Sequence, residues 1–358
     1  MKRILVIDTV EFQINGISNV IINYFENIDH CKFYMDFVVN KSIEAKYEQK
    51  IKNGGATVYI LNRNHNPMKY FFDMIKIVKS GRYDVVHVHG NSCTMAIELL
   101  SSKIAGCKKR IAHSHNSSCS HKILHKVLRP IFEICCTDRL ACSNLAGDWL
   151  FHKKNFTVIE NAMNLDKYRF DIEKRRFIRQ ELGIAEENIL LGHVGGFSEA
   201  KNQQYLVDIL KVLCQSSRKY RLIFVGEGKL KQEIQLYAEK NHLEDKVIFY
   251  GVTEDMVGIL SAMDIFVFPS KWEGLPLALL EAQFLNLPVV VSENVTREVK
   301  ISDRMAYLRL DQSVDNWCEM IEYYNALNLP REEDCVSKEE KMRFDIKLQI
   351  KVLENFYK

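Results

Sequence analysis

Short runs of β-branched and aliphatic residues alternate along this chain with stretches whose apolar residues recur every three or four positions. In the first half the runs Ile4–Ile7, Phe33–Val38, Thr57–Leu61, Val85–Val88, Arg110–Ala112, Leu140–Cys142 and Val158–Ile159 predict strands. Between them the spacing predicts helices near 17–27, 45–52, 67–79, 93–104, 121–136 and 144–151. Apolar strands alternating with helices imply a parallel sheet covered on both faces, with ligands at the carboxyl ends of its strands.

A polar connection from Asn161 to Gln180 precedes a second alternating set. Its strands are Ile189–Val194, Leu222–Val225, Val247–Phe249, Ile265–Phe268 and Val289–Val291, with helices near 201–214, 229–241, 254–261, 276–285 and 313–324. The closing segment from Ser337 is charged and helical in period, with Phe344, Ile346, Ile350, Leu353 and Phe356 as its apolar stripe. The expected organisation is α/β: one Rossmann-like domain over 1–165, a second over 166–336, and a terminal helix over 337–358. No repeat or low-complexity tract interrupts it.

Composition adds bounds. A chain of 358 residues is long enough for two cores, and 47% hydrophobic with 27% charged residues is an ordinary globular balance. Ten cysteines lack metal-finger spacing, and Cys142, Cys214 and Cys318 sit in apolar runs, so a reducing compartment is expected. The first strand begins too early for a signal peptide, and no apolar run reaches the ~18 residues that span a bilayer. The expectation is a cytoplasmic protein, peripheral at most.

One stretch organises the candidate chemistry: Glu273-Gly274-Leu275-Pro276-Leu277-Ala278-Leu279-Leu280-Glu281. It lies between a buried strand ending at Pro269-Ser270 and a good helix former, and Pro276 suits the first helical position. Free N–H groups and the positive end of the helix dipole would then attract an anion, flanked by two carboxylates able to accept from hydroxyls. A plainer account is a helix start with two solvated glutamates. The spacing of the two glutamates, with Gly-x-Pro after the first, resembles the donor-sugar motif of retaining glycosyltransferases of the GT-B fold, family four. That resemblance implies two facing Rossmann-like domains with a cleft between them and a terminal helix that crosses back to the first.

The resemblance extends through most of the chain. Asn15-Gly16 follows the first strand, where the family usually has Gly-Gly, and Gly16 is expected to approach donor or acceptor. His115, or His113 failing it, matches the family's strand-end histidine, which reaches the transferred sugar. The pairs His87/His89 and His113/His115 invite a metal reading, but no acidic ligand accompanies them and Asp-x-Asp is absent, so no metal is expected. Gly195-Gly196 before Lys201 reads as a phosphate cradle. In the family an Arg follows the first Gly and a Lys lies five residues on; here Lys201 is present and Gly196 takes the Arg position. Lys229 or backbone N–H groups are candidates to replace that arginine. Gly226 and Val252 end strands whose family counterparts hold the base.

What the resemblance implies is a metal-independent enzyme moving a sugar from a nucleotide-sugar, UDP favoured, to a glycan or lipid-linked acceptor in surface polysaccharide synthesis. Lys201 neutralises the leaving diphosphate, Glu273 accepts from sugar hydroxyls, Gly274 and Leu275 N–H groups contact sugar or phosphate, and Glu281 accepts from the ribose. The nucleotide-sugar is a co-substrate, no cofactor is implied, and nucleic acid is not an expected partner. From Lys103 to Arg129 seven Lys/Arg and four His occur without a carboxylate, and Lys122, Lys126 and Arg129 recur beside Ile123, Leu124, Val127 and Leu128. This is either a solvated basic face or a contact for an anionic membrane. The alternative function is a non-catalytic GT-B-shaped subunit of a complex, which Gly196 favours. A nicotinamide-dependent dehydrogenase fits less well, since the first turn lacks Gly-x-Gly-x-x-Gly.

Overall fold

The computed structural model describes residues 1–358 except Ile14, Ser120, Lys153 and Arg218. The chain divides into two compact units, Met1–Met163 with Met342–Lys358, and Asn164–Lys341.

In the first unit the strands are β1 (Lys2–Asp8), β2 (Phe33–Asn40), β3 (Val58–Leu61), β4 (Val85–Gly90), β5 (Lys109–Ser114), β6 (Asp138–Ala141) and β7 (Thr157–Val158). They form one sheet in the order β3-β2-β1-β4-β5-β6-β7, and every pairing is parallel. The helices are α1 (Gly16–Asn27), α2 (Ala45–Asn53), α3 (Pro67–Gly81), α4 (Ala96–Ile104), α5 (Lys122–Cys135) and α6 (Asn144–Phe151). Sequence chemistry explains their starts. Asn15 accepts from Ser18 N–H at α1, and Asn66 from Lys69 N–H at α3, where Pro67 follows the cap. Ile4 to Ile7 and Val85 to Val88 are buried without a break, as strands covered on both faces must be.

In the second unit a helix comes first, α7 (Ile172–Glu181), followed by β8 (Ile189–Val194), α8 (Gln203–Ser216), β9 (Tyr220–Val225), α9 (Lys231–Lys240) and β10 (Val247–Gly251). Then come α10 (Met256–Ala262), β11 (Ile265–Phe268), α11 (Leu277–Phe284), β12 (Val289–Ser292), β13 (Met305–Leu308) and α12 (Val314–Leu327). The sheet order is β10-β9-β8-β11-β12-β13, again parallel throughout. Strand order reverses between β8 and β11. The loops leaving those two strands therefore diverge and open a crevice at their carboxyl ends, where open α/β sheets take ligands.

Five expectations are corrected. The polar stretch 161–180 is not all connection, because 172–181 is helix α7. Its charged face carries almost no apolar stripe, and it is held instead by Asp171, which caps it, and by Arg175 and Arg179, which pair with Asp264 at 2.5 and 3.0 Å. Strand β13 escaped notice because Met305-Ala306-Tyr307-Leu308 contains no β-branched residue. Pro276 is the cap of α11, with ψ 112°, and the first helical residue is Leu277. The terminal segment is two helices, α13 (Lys338–Phe344) and α14 (Ile346–Tyr357), broken where Asp345 caps the second. Tyr357, not Phe356, is the last buried member of its apolar stripe. Helix α14 and the end of α13 from Met342 belong to the first unit, where Met163 N–H donates to Phe344 O and Ile346 N–H donates to Met163 O.

Candidate functional site

The crevice of the second unit gathers most of the residues singled out in the sequence. Its β8 side is shaped by backbone contact: Gly195 N–H donates to Val225 O and Phe197 N–H to Glu227 O. Gly226, at φ +141°, packs its α-carbon against the Gly195 carbonyl, and its N–H donates to Gly251 O. A β-carbon at Gly226 would collide with that carbonyl, so glycine is required there on two counts. Val252 is exposed just beyond Gly251. Because the Gly195 N–H is spent on the sheet edge, the cradle is narrower than the sequence suggests. The Gly196 N–H has no protein partner among the described residues.

Lys201 crosses from this loop to the β11 side. Its Nζ lies 2.7 Å from Glu273 Oε1 and 4.6 Å from the centroid of the Phe268 ring. Both side chains are mostly enclosed, 19% and 14% exposed, so the pair is screened little by water. Beneath it, buried His193 has Nδ1 3.0 Å from Val267 O, which fixes its proton there and leaves Nε2 without a partner among the described residues. Burial, aided by the Lys201 charge, pulls this imidazole down to about 3. Gly274 and Leu275 are buried in the loop before α11.

Glu281 is the fifth residue of α11. Tyr168 Oη donates to its Oε1 at 2.9 Å. Desolvation raises the Glu281 carboxyl, and the tyrosine bond opposes that. Tyr168 and His193 were not expected at this site; a lone tyrosine in a polar stretch and a strand histidine carry no spacing signal. Lys229, the suggested substitute cation, is exposed.

His115 and Gly16 belong to the first unit. Gly16 is exposed at the start of α1, and a β-carbon there would meet no described residue within 4 Å. His115 follows β5 and is buried. Its Nε2 lies 2.8 Å from His89 Nδ1, inside an array that the parallel register builds by setting His89 opposite His113. His87 Nδ1 meets the Tyr357 hydroxyl at 2.7 Å, and His87 Nε2 meets His113 Nδ1 at 3.2 Å. Burial holds all four imidazoles neutral, with His87 and His115 pulled down to about 3. His87, His89 and His113 each offer a nitrogen within 4.8 Å of the others, which is metal-ligand spacing. Among the described residues no carboxylate joins that group, and Val6, Ile21, Met35 and Leu353 share its small cavity, which is a poor setting for a divalent charge.

On α5, Ile123, Leu124 and Val127 are exposed, as are Lys122 and Lys126. Arg129 leaves that basic face, because its guanidinium bonds Leu150 O at 3.0 Å and His125 Nε2 at 2.6 Å. Among the described residues no helix is long and apolar enough to cross a membrane.

Residues 174–317 match the family model for glycosyl transferases group 1. The chain is 27% identical over 357 residues to EpsF of Bacillus subtilis (strain 168), which is assigned as a glycosyltransferase; the match covers 96% of this chain and 93% of that one. It is 28% identical over 299 residues to an Escherichia coli UDP-Gal:alpha-D-GlcNAc-diphosphoundecaprenol alpha-1,3-galactosyltransferase, covering 78% and 76%. Anabaena HepE, solved with UDP and glucose, superposes with a TM-score of 0.80 at 17% identity over 98% of both chains, a likeness of fold.

The histidine array sets a pH dependence. Its imidazoles are depressed in the folded chain against an ordinary value near 6.5, so their contribution is complete above that pH and is lost as pH falls from about 6.5 toward 3. The slope is at most about 1.4 kcal/mol per pH unit for each histidine. Urea unfolding at pH 7, 6 and 5 is expected to show this loss, and a His87→Leu variant that still folds is expected to lose less over the same interval.

Proposed function

The chain belongs to the group 1 glycosyltransferases with the GT-B fold, of the family-four type, and from that premise we propose that it transfers a sugar from a UDP-sugar to a glycan or lipid-linked acceptor. The setting is surface polysaccharide synthesis, in keeping with similarity to the E. coli galactosyltransferase and to a Staphylococcus aureus capsular glycosyltransferase. The observation that carries the reading is the enclosed pair of Lys201 and Glu273 at the strand-order reversal of the second sheet.

Transfer requires breaking the anomeric C–O bond while charge builds on the departing diphosphate. Lys201 is placed to neutralise that charge, and an enclosed cation is worth more to it than a solvated one. Glu273, held by Lys201, accepts from sugar hydroxyls, and Glu281 accepts from the ribose. Gly195, Gly196, Gly274 and Leu275 let backbone approach sugar and phosphate, and Gly226 and Val252 border the base. His115 reaches the transferred sugar, and Gly16 approaches donor or acceptor. Retention with front-face attack rests on the family motif alone. A metal is unnecessary in this scheme because Lys201 and the start of α11 supply the positive charge. The apolar and basic face of α5 docks on an anionic membrane surface, which would bring the chain to a lipid-linked acceptor.

Gly196 favours a second reading, a GT-B-shaped subunit without turnover, since one of the family's two cations is missing. A panel of nucleotide-sugars with a lipid-diphosphate acceptor, run with and without EDTA, separates the two. We expect nucleoside diphosphate release with a uridine donor, unaffected by chelation; binding without release from any donor supports the second reading. In thermal shift a uridine ligand is expected to stabilise most, and Glu281→Ala to abolish the shift.

Sedimentation with vesicles tests the membrane contact. Binding to vesicles containing anionic phospholipid is expected to exceed binding to zwitterionic ones by about tenfold and to fall when Ile123 and Val127 are both changed to Asp. Equal, weak sedimentation with both kinds would contradict it.

A further inference from the structure

Glu281 is the carboxylate assigned to the donor's ribose, and a single phenol holds it. Tyr168 Oη donates to Glu281 Oε1 at 2.9 Å. The tyrosine closes a short 3₁₀ turn, Leu165–Lys167, started by Asn164, whose side chain accepts from Asp166 N–H. The backbone beyond it is pinned to the same unit. The Arg331 guanidinium lies 4.8 Å over the Phe170 ring, and Asp171 N–H donates to Ser261 Oγ at 3.2 Å. The hydroxyl is therefore delivered from a fixed segment, not from a loose loop.

The direction of the bond is set. Desolvation, then the Glu281 charge, pushes the Tyr168 phenol up, so it keeps its proton and always donates. Among the described residues no cation faces Glu281; desolvation acts against its ionised form, and Tyr168 is the titratable group that favours it. A carboxylate has two oxygens with two lone-pair directions each, so one bond to Oε1 orients the group and leaves Oε2 free to accept.

We propose that Tyr168 is a positioning residue that orients the Glu281 carboxylate through Oε1 and reserves Oε2 for a hydroxyl of a nucleoside diphosphate-sugar. The proposal rests on the reading of Glu281 as a donor-binding acceptor. Without the phenol the carboxylate is enclosed with nothing to favour its charge, so it takes a proton at a higher pH. The proton occupies the acceptor, and donor binding weakens as pH falls.

Calorimetric titration of UDP at pH 8 and pH 6 tests this with the full chain, wild type against Tyr168→Phe, Glu281→Gln and the double variant. Affinities are compared as ratios to wild type at each pH, because the UDP phosphate itself titrates near the lower value. Tyr168→Phe is expected to bind within about threefold of wild type at pH 8 and about tenfold more weakly at pH 6, the scale of one hydrogen bond to a charged group. The double variant is expected to match Glu281→Gln alone, without a further pH trend. Should Tyr168→Phe fold poorly by circular dichroism, Tyr168→Leu is expected to show the same divergence between the two pH values. A ratio independent of pH, with Glu281→Gln still weakening UDP, overturns the proposal and leaves the donor reading standing. Unchanged UDP binding in Glu281→Gln overturns both.

Discussion

The enclosed ion pair between Lys201 and Glu273 is the constraint around which the second unit's site is arranged. Two loops that leave β8 and β11 in opposite directions would have no reason to keep their side chains together. The 2.7 Å contact ties them across the crevice. Each charge is costly away from water unless the other is present, and removing either partner strands its mate. The Phe268 face beneath the ammonium adds a cation–π contact. An ammonium carries three donors, so Lys201 can hold Glu273 and still offer N–H to an incoming anion.

That arrangement explains why the glycines around it are tight. Lys201 Cε would lie 3.0 Å from a β-carbon on Gly195, so the lysine stem uses space that any larger residue would take. Gly226 is locked against the Gly195 carbonyl from the next strand. Gly196 is the exception: it is exposed, and its β-carbon would meet only the Glu227 carbonyl at 3.2 Å. Nothing in the packing forbids a larger residue there without some adjustment of that carbonyl, so the lack of a second cation is a chemical feature of this chain rather than a steric necessity.

Much of the fold was legible because buried parallel strands are nearly continuous apolar runs, and runs such as Ile265–Phe268 and Val289–Val291 leave little choice. What stayed hidden lacks that signal. Helix α7 is fixed by Arg175 and Arg179 on Asp264, an ion-pair scheme that hydrophobic spacing does not register. The break at Asp345 interrupts a stripe that reads as continuous. At the site, Glu273, Glu281 and Lys201 were found through a motif, whereas Tyr168 reaches Glu281 over 113 positions of sequence that carry no pattern. The four histidines read as two separate His-x-His pairs at strand ends. Only the register of β4 on β5 sets them side by side.

The central claim is that Lys201 makes this crevice a diphosphate site. The most direct measurement compares UDP with uridine by calorimetry in the wild type and in Lys201→Met. The account predicts that UDP binds the wild type at least about a hundredfold more tightly than uridine, the scale of two charge-assisted contacts, and that most of this advantage disappears in the variant. Equal affinity for UDP and uridine in the wild type, or an advantage that survives the loss of the ammonium, would contradict it.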